Sequence, residues 1–307
     1  MKTAYISHHD CTLHNMGPEH PESPARLMAI LDQIQDTRLN QDLDFIRAEL
    51  VNPDHVRRVH PATYVEQLDL IQPKKGRIYA DPDTIMMPDT MRAAKLAAGA
   101  AVQAVDAVMS GQNKNAFCAT RPPGHHAERN KTMGFCFYNN IAVAAKHALD
   151  FHGLDRVAII DFDVHQGNGT VDIFQDDPRV LVCSSFQHPY YPYSHHAVHK
   201  PNIINLPLEA HTQGLSFRNK IEKAWLNELQ NHKPQLILIS AGFDAHKNDP
   251  MADLELDKTD YRWITEMLVD VAKYYSNDRI VSILEGGYNL KALAESVEQH
   301  LEVLAGF

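Results

Sequence analysis

Between residues 157 and 169 the chain reads VAIIDFDVHQGNG, four apolar residues running into Asp161, Asp163 and His165 at alternate positions. In an extended tail, residues two apart project to the same side, so Asp163 and His165 can address one ion. Asp244, in AGFDAH at the end of another apolar run, offers a third ligand. Two carboxylates and an imidazole suit zinc with a fourth position left for water or substrate. Iron(II) or another divalent metal suits the same set. A single aspartate beyond a strand is more often a turn residue, so the reading rests on the combination.

Other residues can act beside such an ion. Asp161 is in phase with Asp163 and either orients His125 or grips a monovalent cation beneath the site. Asn168, within HQGNG, can accept from a protonated histidine nitrogen, and the flanking glycines let backbone approach closely. His125 and His126 follow RPPG, where the prolines stiffen the approach and the glycine permits a tight turn. Adjacent histidines do not readily share one metal, but they can form a proton-transfer pair, each held through its other nitrogen. Tyr288 follows EGG, where Gly286 and Gly287 expose a phenol able to donate to a developing oxyanion.

Strands must position these residues. The runs NAFCAT, RVAIIDFD, RVLVCSS, QLILISAGF and RIVSILEG are apolar without alternation, as strands buried on both faces are. Helical periodicity spans 24–35, 53–71 with a break at Pro61, 139–150, 216–233, 258–275 and 289–306. The alanine-rich stretch 89–109 is a further helix, opened by an Asp89 cap and closed at Ser110–Gly111. Strands alternating with helices imply a parallel sheet covered on both sides. Ligands then bind beyond the carboxyl ends of the strands, where four runs deliver RPPGHH, DFDVHQGNG, Asp244 and Tyr288 to one rim. No linker or repeat is visible, and one domain over 1–307 is expected.

Composition narrows the partners. Among 307 residues, 29 Lys and Arg stand against 39 Asp and Glu, a net charge of −10 with histidine neutral. No basic face for nucleic acid is expected. The surplus serves solubility, and focused in a cleft it would favour a cationic substrate. No secretory signal is expected from the opening MKTAYISHHD, which lacks a basic segment followed by a long apolar one, and no run of ~18 apolar residues marks a membrane span. Cys11, Cys118, Cys136 and Cys183 form no CxxC pair. Free thiols in a reducing cytoplasm are the expectation.

In order, HPESPARL, RPPGHHA, GFCFYNN, DFDVHQGNGT, SAGFDAH and EGGY resemble the histone deacetylase superfamily, which includes acetylpolyamine amidohydrolases and bacterial histone-deacetylase-like amidohydrolases. The likeness runs from His20 to Tyr288, and the asparagine of HQGNG is similar to class II enzymes rather than class I. It implies an arginase/deacetylase-like α/β three-layer sandwich with an eight-stranded parallel sheet. It implies one catalytic zinc on Asp163, His165 and Asp244, and His126 as general base and then acid, held by Asn168. His125 would be its electrostatic partner, paired with Asp161, and Tyr288 the oxyanion donor. Gly134, Phe135 and Tyr191 would wall a narrow tunnel for an acyl-lysine-like chain, with Met251, Gly286 and Gly287 also along it. A structural potassium is implied at Asp161, Asp163, His165, Ser184 and Ser185, partly through main-chain oxygens.

Some positions depart from the pattern. Around Tyr191 the loop QHPYYPYSHH is shorter than usual, with tyrosine where phenylalanine is common. Met251 stands where polyamine-specific relatives place a glutamate, which argues against that type of polyamine specificity unless an acid on another loop substitutes. Tyr288 is present where weakly active relatives often carry histidine. The expected activity is zinc-dependent hydrolysis of acetyl-lysine-like amides to acetate and amine. The alternatives are an acetylpolyamine or other small N-acyl amine amidohydrolase and a non-catalytic acyl-lysine binding protein. An arginase-type binuclear manganese site would need more acids than DFDVHQGN supplies. No nucleic-acid or membrane partner is expected, and the oligomeric state is open.

Overall fold

Every residue of the central strands is buried, as a parallel sheet covered on both faces requires. The computed structural model covers residues 1–307. Its strands are β1 (Thr3–Ser7), β2 (Leu43–Arg47), β3 (Ile78–Asp81), β4 (Thr84–Met86), β5 (Ala116–Cys118), β6 (Val157–Asp161), β7 (Val180–Gln187), β8 (Ile203–Leu208), β9 (Leu236–Ala241) and β10 (Ile280–Leu284). Eight form one sheet in the order β2-β1-β5-β10-β9-β6-β7-β8. All its neighbours are parallel. β3 and β4 form a separate antiparallel hairpin.

The helices are α1 (Ala25–Gln35), α2 (Leu39–Asp42), α3 (Pro53–Arg57), α4 (Ala62–Ile71), α5 (Thr90–Met109), α6 (Asn140–Asp150), α7 (Asn168–Phe174), α8 (Gly214–His232), α9 (Lys258–Tyr275) and α10 (Leu290–Ala305). α5 packs on α6 and on β1, β5 and β10, while α1, α10, α9 and α8 pack in series. The sheet lies between these layers, and 82 buried residues form one connected core. No helix is long and apolar enough to cross a membrane. All four cysteines are free and buried.

The sheet contains three strands that the apolar runs do not announce. β2 and β8 lie at its edges and are only partly buried. β8 also carries Pro207, which an edge strand tolerates. β1 is short, so its five residues carry little periodicity. Pro61 separates α3 from α4, dividing the segment expected to be one broken helix. Asp89 occupies the N-cap of α5 but makes no capping hydrogen bond, contrary to expectation. The tail after β6 is not extended: the strand ends at Asp161, residues 163–165 bend, and α7 starts at Asn168.

Register aligns the ends that carry the chemistry. Asp161 lies beside Ser184 of β7 and Ser240 of β9. Ala241 of β9 lies beside Leu284 of β10. The loops leaving β6, β9 and β10 therefore emerge at one level.

Candidate active site

The bend after β6 folds its own side chains back onto its backbone. Asp161 Oδ1 accepts from Asp163 N–H at 3.1 Å, and Asp163 Oδ1 accepts from His165 N–H at 2.9 Å. Asp163 Oδ1 also lies 3.0 Å from His165 Nδ1. From the end of β9, Asp244 Oδ1 accepts Val164 N–H at 2.9 Å. Its Oδ2 stands 3.2 Å from His165 Nδ1, buried and without a hydrogen bond. Asp163, His165 and Asp244 thus bring three ligating atoms within 4.8 Å of one another, all three residues buried. The bend replaces the extended tail yet delivers the same pair to one point.

Glycine makes the space. Gly286 N–H donates to Asp163 Oδ2 at 2.8 Å, and a Cβ on Gly286 would collide with the carboxylates of Asp244 and Asp163. Electrostatics favours a cation here. Burial would lower the His165 pKa, but Asp163 and Asp244 outweigh it and push it up to about 10. Without a metal, that proton supplies the positive charge the carboxylates draw. Two buried carboxylates, one imidazole and an unpartnered carboxylate oxygen fit a divalent metal with an open position.

The histidine pair lies beside this group. Asn168 Oδ1 faces His126 Nδ1 at 2.7 Å, and Asp161 Oδ2 faces His125 Nδ1 at 2.9 Å. The two rings are 4.0 Å apart. Burial, and then the charges of His125 and His165, hold His126 well below its ordinary pKa. Burial also opposes the charged form of His125, but Asp161, Asp163 and Glu285 prevail and hold it well above. Adjacent imidazoles are thereby driven to opposite protonation states.

Tyr288 is half-buried at the end of the β10 loop. Its N–H donates to Asp249 Oδ2 at 2.6 Å, and the Arg26 guanidinium lies 5.0 Å from its ring. Burial, and then Asp244, keep its hydroxyl protonated far above neutrality. A cavity of 340 Å³ is lined by His126, His165, Tyr288, Gly134, Phe135, Tyr191 and Met251, together with Asp83, Tyr190 and Tyr193. Gly134 has φ 55°, and a Cβ there would strike the His126 ring. Gly286 and Gly287 are not among the lining: the first packs against the carboxylates, and the second offers its carbonyl to Arg26 Nε at 2.6 Å. Ser184, opposite Asp161 in register, and the following Ser185 are both buried, and Ser184 Oγ has no hydrogen-bond partner.

Several buried charges escaped the sequence reading. Glu285 Oε2 accepts from the N–H groups of Gly124 (2.7 Å) and His125 (3.1 Å), and burial pushes its pKa up to about 7. Its signal was available, an acid directly after an apolar run. Asp249 and the buried Glu22–Arg26–Arg121 cluster depend on contacts between distant segments. A second convergent group, Asp106, His147 and His152, ties α5 to the end of α6. Both histidine Nε2 atoms there lie 2.7 Å from Asp106 Oδ1.

The model of the histone deacetylase domain matches residues 20–304. The chain belongs to the histone deacetylase family. It is 34% identical over 316 residues to a probable deacetylase of Archaeoglobus fulgidus, covering 100% of this chain and 87% of the other. It is 34% identical over 278 residues to the histone deacetylase-like amidohydrolase of Pseudomonas aeruginosa, covering 88% and 72%. The crystal structure of the HDA15 HD domain superposes with a TM-score of 0.93 at 30% identity, covering 99% of this chain and 88% of that one. The fold is therefore the arginase-like α/β fold of histone deacetylases, and the family makes the chain a deacetylase of the amidohydrolase kind.

Proposed function

We propose that this histone deacetylase family member is a single catalytic domain over 1–307 that hydrolyses acetyl-lysine-like amides with one zinc on Asp163, His165 and Asp244. The observation that carries the reading is the unpartnered Asp244 Oδ2 in that buried triad, at the base of a cavity lined by His126 and Tyr288. Zinc bound there would act as a Lewis acid on the amide carbonyl and lower the pKa of water from ~15.7 toward ~7.

The chain's own groups do the rest. Asn168 holds the proton on His126 Nδ1, which leaves Nε2 free to take a proton from the attacking water. His125, charged and paired with Asp161, adds positive potential beside the developing negative charge. The Tyr288 hydroxyl donates to the oxyanion. His126 then returns the proton to the leaving amine, and acetate and a free amine result. Potassium at Asp161, Asp163, His165, Ser184 and Ser185 fits the unpartnered Ser184 Oγ. Iron(II) suits the catalytic ligands equally. A cytoplasmic location accords with four free thiols.

One observation favours a second reading, hydrolysis of acetylated polyamines or other small N-acyl amines. Met251 brings no acid to the rim, but Asp83, on another loop, lines the same cavity. Acetate release by zinc-loaded protein from acetyl-lysine peptides, acetylputrescine and acetylspermidine separates the two. Tight binding without turnover of any of them would leave a binding protein instead.

A further inference from the structure

Outside the candidate active site, two imidazoles meet on one carboxylate oxygen. Asp106 lies one turn before the end of α5, His147 in the last turn of α6, and His152 in the turn that leads to β6. His147 Nε2 and His152 Nε2 are each 2.7 Å from Asp106 Oδ1. The three ligating atoms fall within 4.8 Å of one another, and none of the three residues lines the cavity above Asp163. Aromatic neighbours hold the rings in place. Phe151 stacks on His147 at 4.9 Å and 18°, and His55, from α3, stands perpendicular to it at 4.7 Å. His152 is edge-on to His147 at 5.1 Å.

The donor set suits a divalent ion that favours nitrogen. Burial, against the pull of Asp106, holds the His147 imidazole below its ordinary pKa. The ring is therefore uncharged near neutrality, which is the form that ligates a metal. Burial opposes the charge on Asp106, but hydrogen bonds to His147 and His152 prevail and keep its carboxyl below the usual range. His147 Nδ1 is buried without a partner. The ring proton can move there, freeing Nε2 for an ion, without breaking a hydrogen bond at Nδ1. Ligand atoms around a tetrahedral zinc lie about 3.3 Å apart. From 2.7 Å that asks Asp106 to draw back by about 0.6 Å, and its side chain is 48% exposed, with solvent on its open side. Two imidazoles and one carboxylate select zinc-like ions over magnesium and calcium, which take oxygen ligands.

We propose that Asp106, His147 and His152 form a second divalent-metal site, for a zinc-like ion, which clamps the ends of α5 and α6 to the turn that enters β6. The proposal is independent of the hydrolytic reading. Its contribution is to stability, because an ion held only by the folded chain stabilises that chain by mass action. With Asp106 half open to solvent, this ion exchanges freely and leaves on dialysis, unlike one enclosed by the buried Asp163–His165–Asp244 triad.

The test starts from protein loaded with zinc and then dialysed, so that the enclosed triad is already filled. Wild type, His152→Ala and Asp106→Asn are titrated with zinc chloride by isothermal calorimetry. Wild type should take up one further zinc per chain with a Kd below about 100 µM. Each variant should lose about tenfold or more of that affinity. His152→Gln, which keeps a donor for Asp106, serves where the alanine variant does not fold. At saturating zinc the thermal midpoint of wild type should rise by about 2 °C or more beyond any rise in the variants. Magnesium chloride should be taken up by none of them. No saturable zinc uptake by wild type, uptake undiminished in any variant, or equal uptake of magnesium overturns the site. Zinc uptake with no greater rise in midpoint than the variants show overturns the clamp.

Discussion

Asn168 presents its Oδ1 to His126 Nδ1 at 2.7 Å while its own Nδ2 donates to Glu128 Oε1 at 2.8 Å. That second bond fixes which way the amide points, and so which imidazole nitrogen carries the proton. The acceptor is neutral, so it orients the ring without attracting a second proton as a carboxylate would. Asn168→Asp should raise the His126 pKa, since an adjacent anion favours imidazolium. The basic form then predominates only at higher pH, and the acid limb of the kcat/KM profile should move up by about one unit or more. A pH–rate profile with an unmoved acid limb would remove His126 as the base.

Tyr288→Phe keeps the ring that packs near Arg26 and Phe135 and deletes only the donor. Loss of one oxyanion donor lowers turnover by about 10²–10³. Steady-state kinetics on an acetylated peptide should show the loss in kcat, with substrate binding retained. A rate near that of wild type would exclude the phenol from the mechanism.

The metal group admits two independent perturbations. Asp163→Ala removes a ligand and should abolish stoichiometric zinc, read by elemental analysis of protein dialysed after loading. Gly286→Ala removes no ligand, but its methyl would occupy the space of the Asp163 and Asp244 carboxylates. It should weaken zinc binding as well. Full zinc content in Asp163→Ala would refute the ligand set, and full content in Gly286→Ala would show that the cradle yields.

What the sequence made legible follows from where the information lies. Asp163 and His165 share one bend and announce themselves together, and Asp244 and Tyr288 each follow a fully buried, mostly apolar strand. Asp249 and Asp83 act through backbone N–H groups supplied by distant loops, which no local pattern records. β2 and β8 failed to register for a related reason: half-exposed edge strands carry neither an unbroken apolar run nor a long alternation. The bend at 163–165 departs from the expected extended tail because its geometry is set by Asp161 and Asp163 accepting from the chain two residues on. The direction of two side chains survives that difference, since both geometries bring them to the same point.

Acid stability should expose a group outside the site. His300 is fully buried, its Nδ1 2.7 Å from Thr265 Oγ1 and its Nε2 2.9 Å from Ser282 Oγ. Burial lowers its pKa from 6.5 to about 3. Between those values the unfolded chain binds a proton that the folded chain refuses, so stability is lost as pH falls through that window. His14 and His60, each lowered to about 4 by burial, act in the same direction. Glu285, raised to about 7, acts in the opposite sense between 4.5 and 7, so the informative quantity is the difference between parent and variant. His300→Gln offers hydrogen-bonding groups but no titration, and should be less stable than the parent near neutrality yet lose less as pH falls below 6.5. Urea midpoints measured from pH 7.5 down to about 4.5 should therefore converge for the two proteins. Parallel curves would mean that the folded protein protonates this ring as readily as the unfolded chain does.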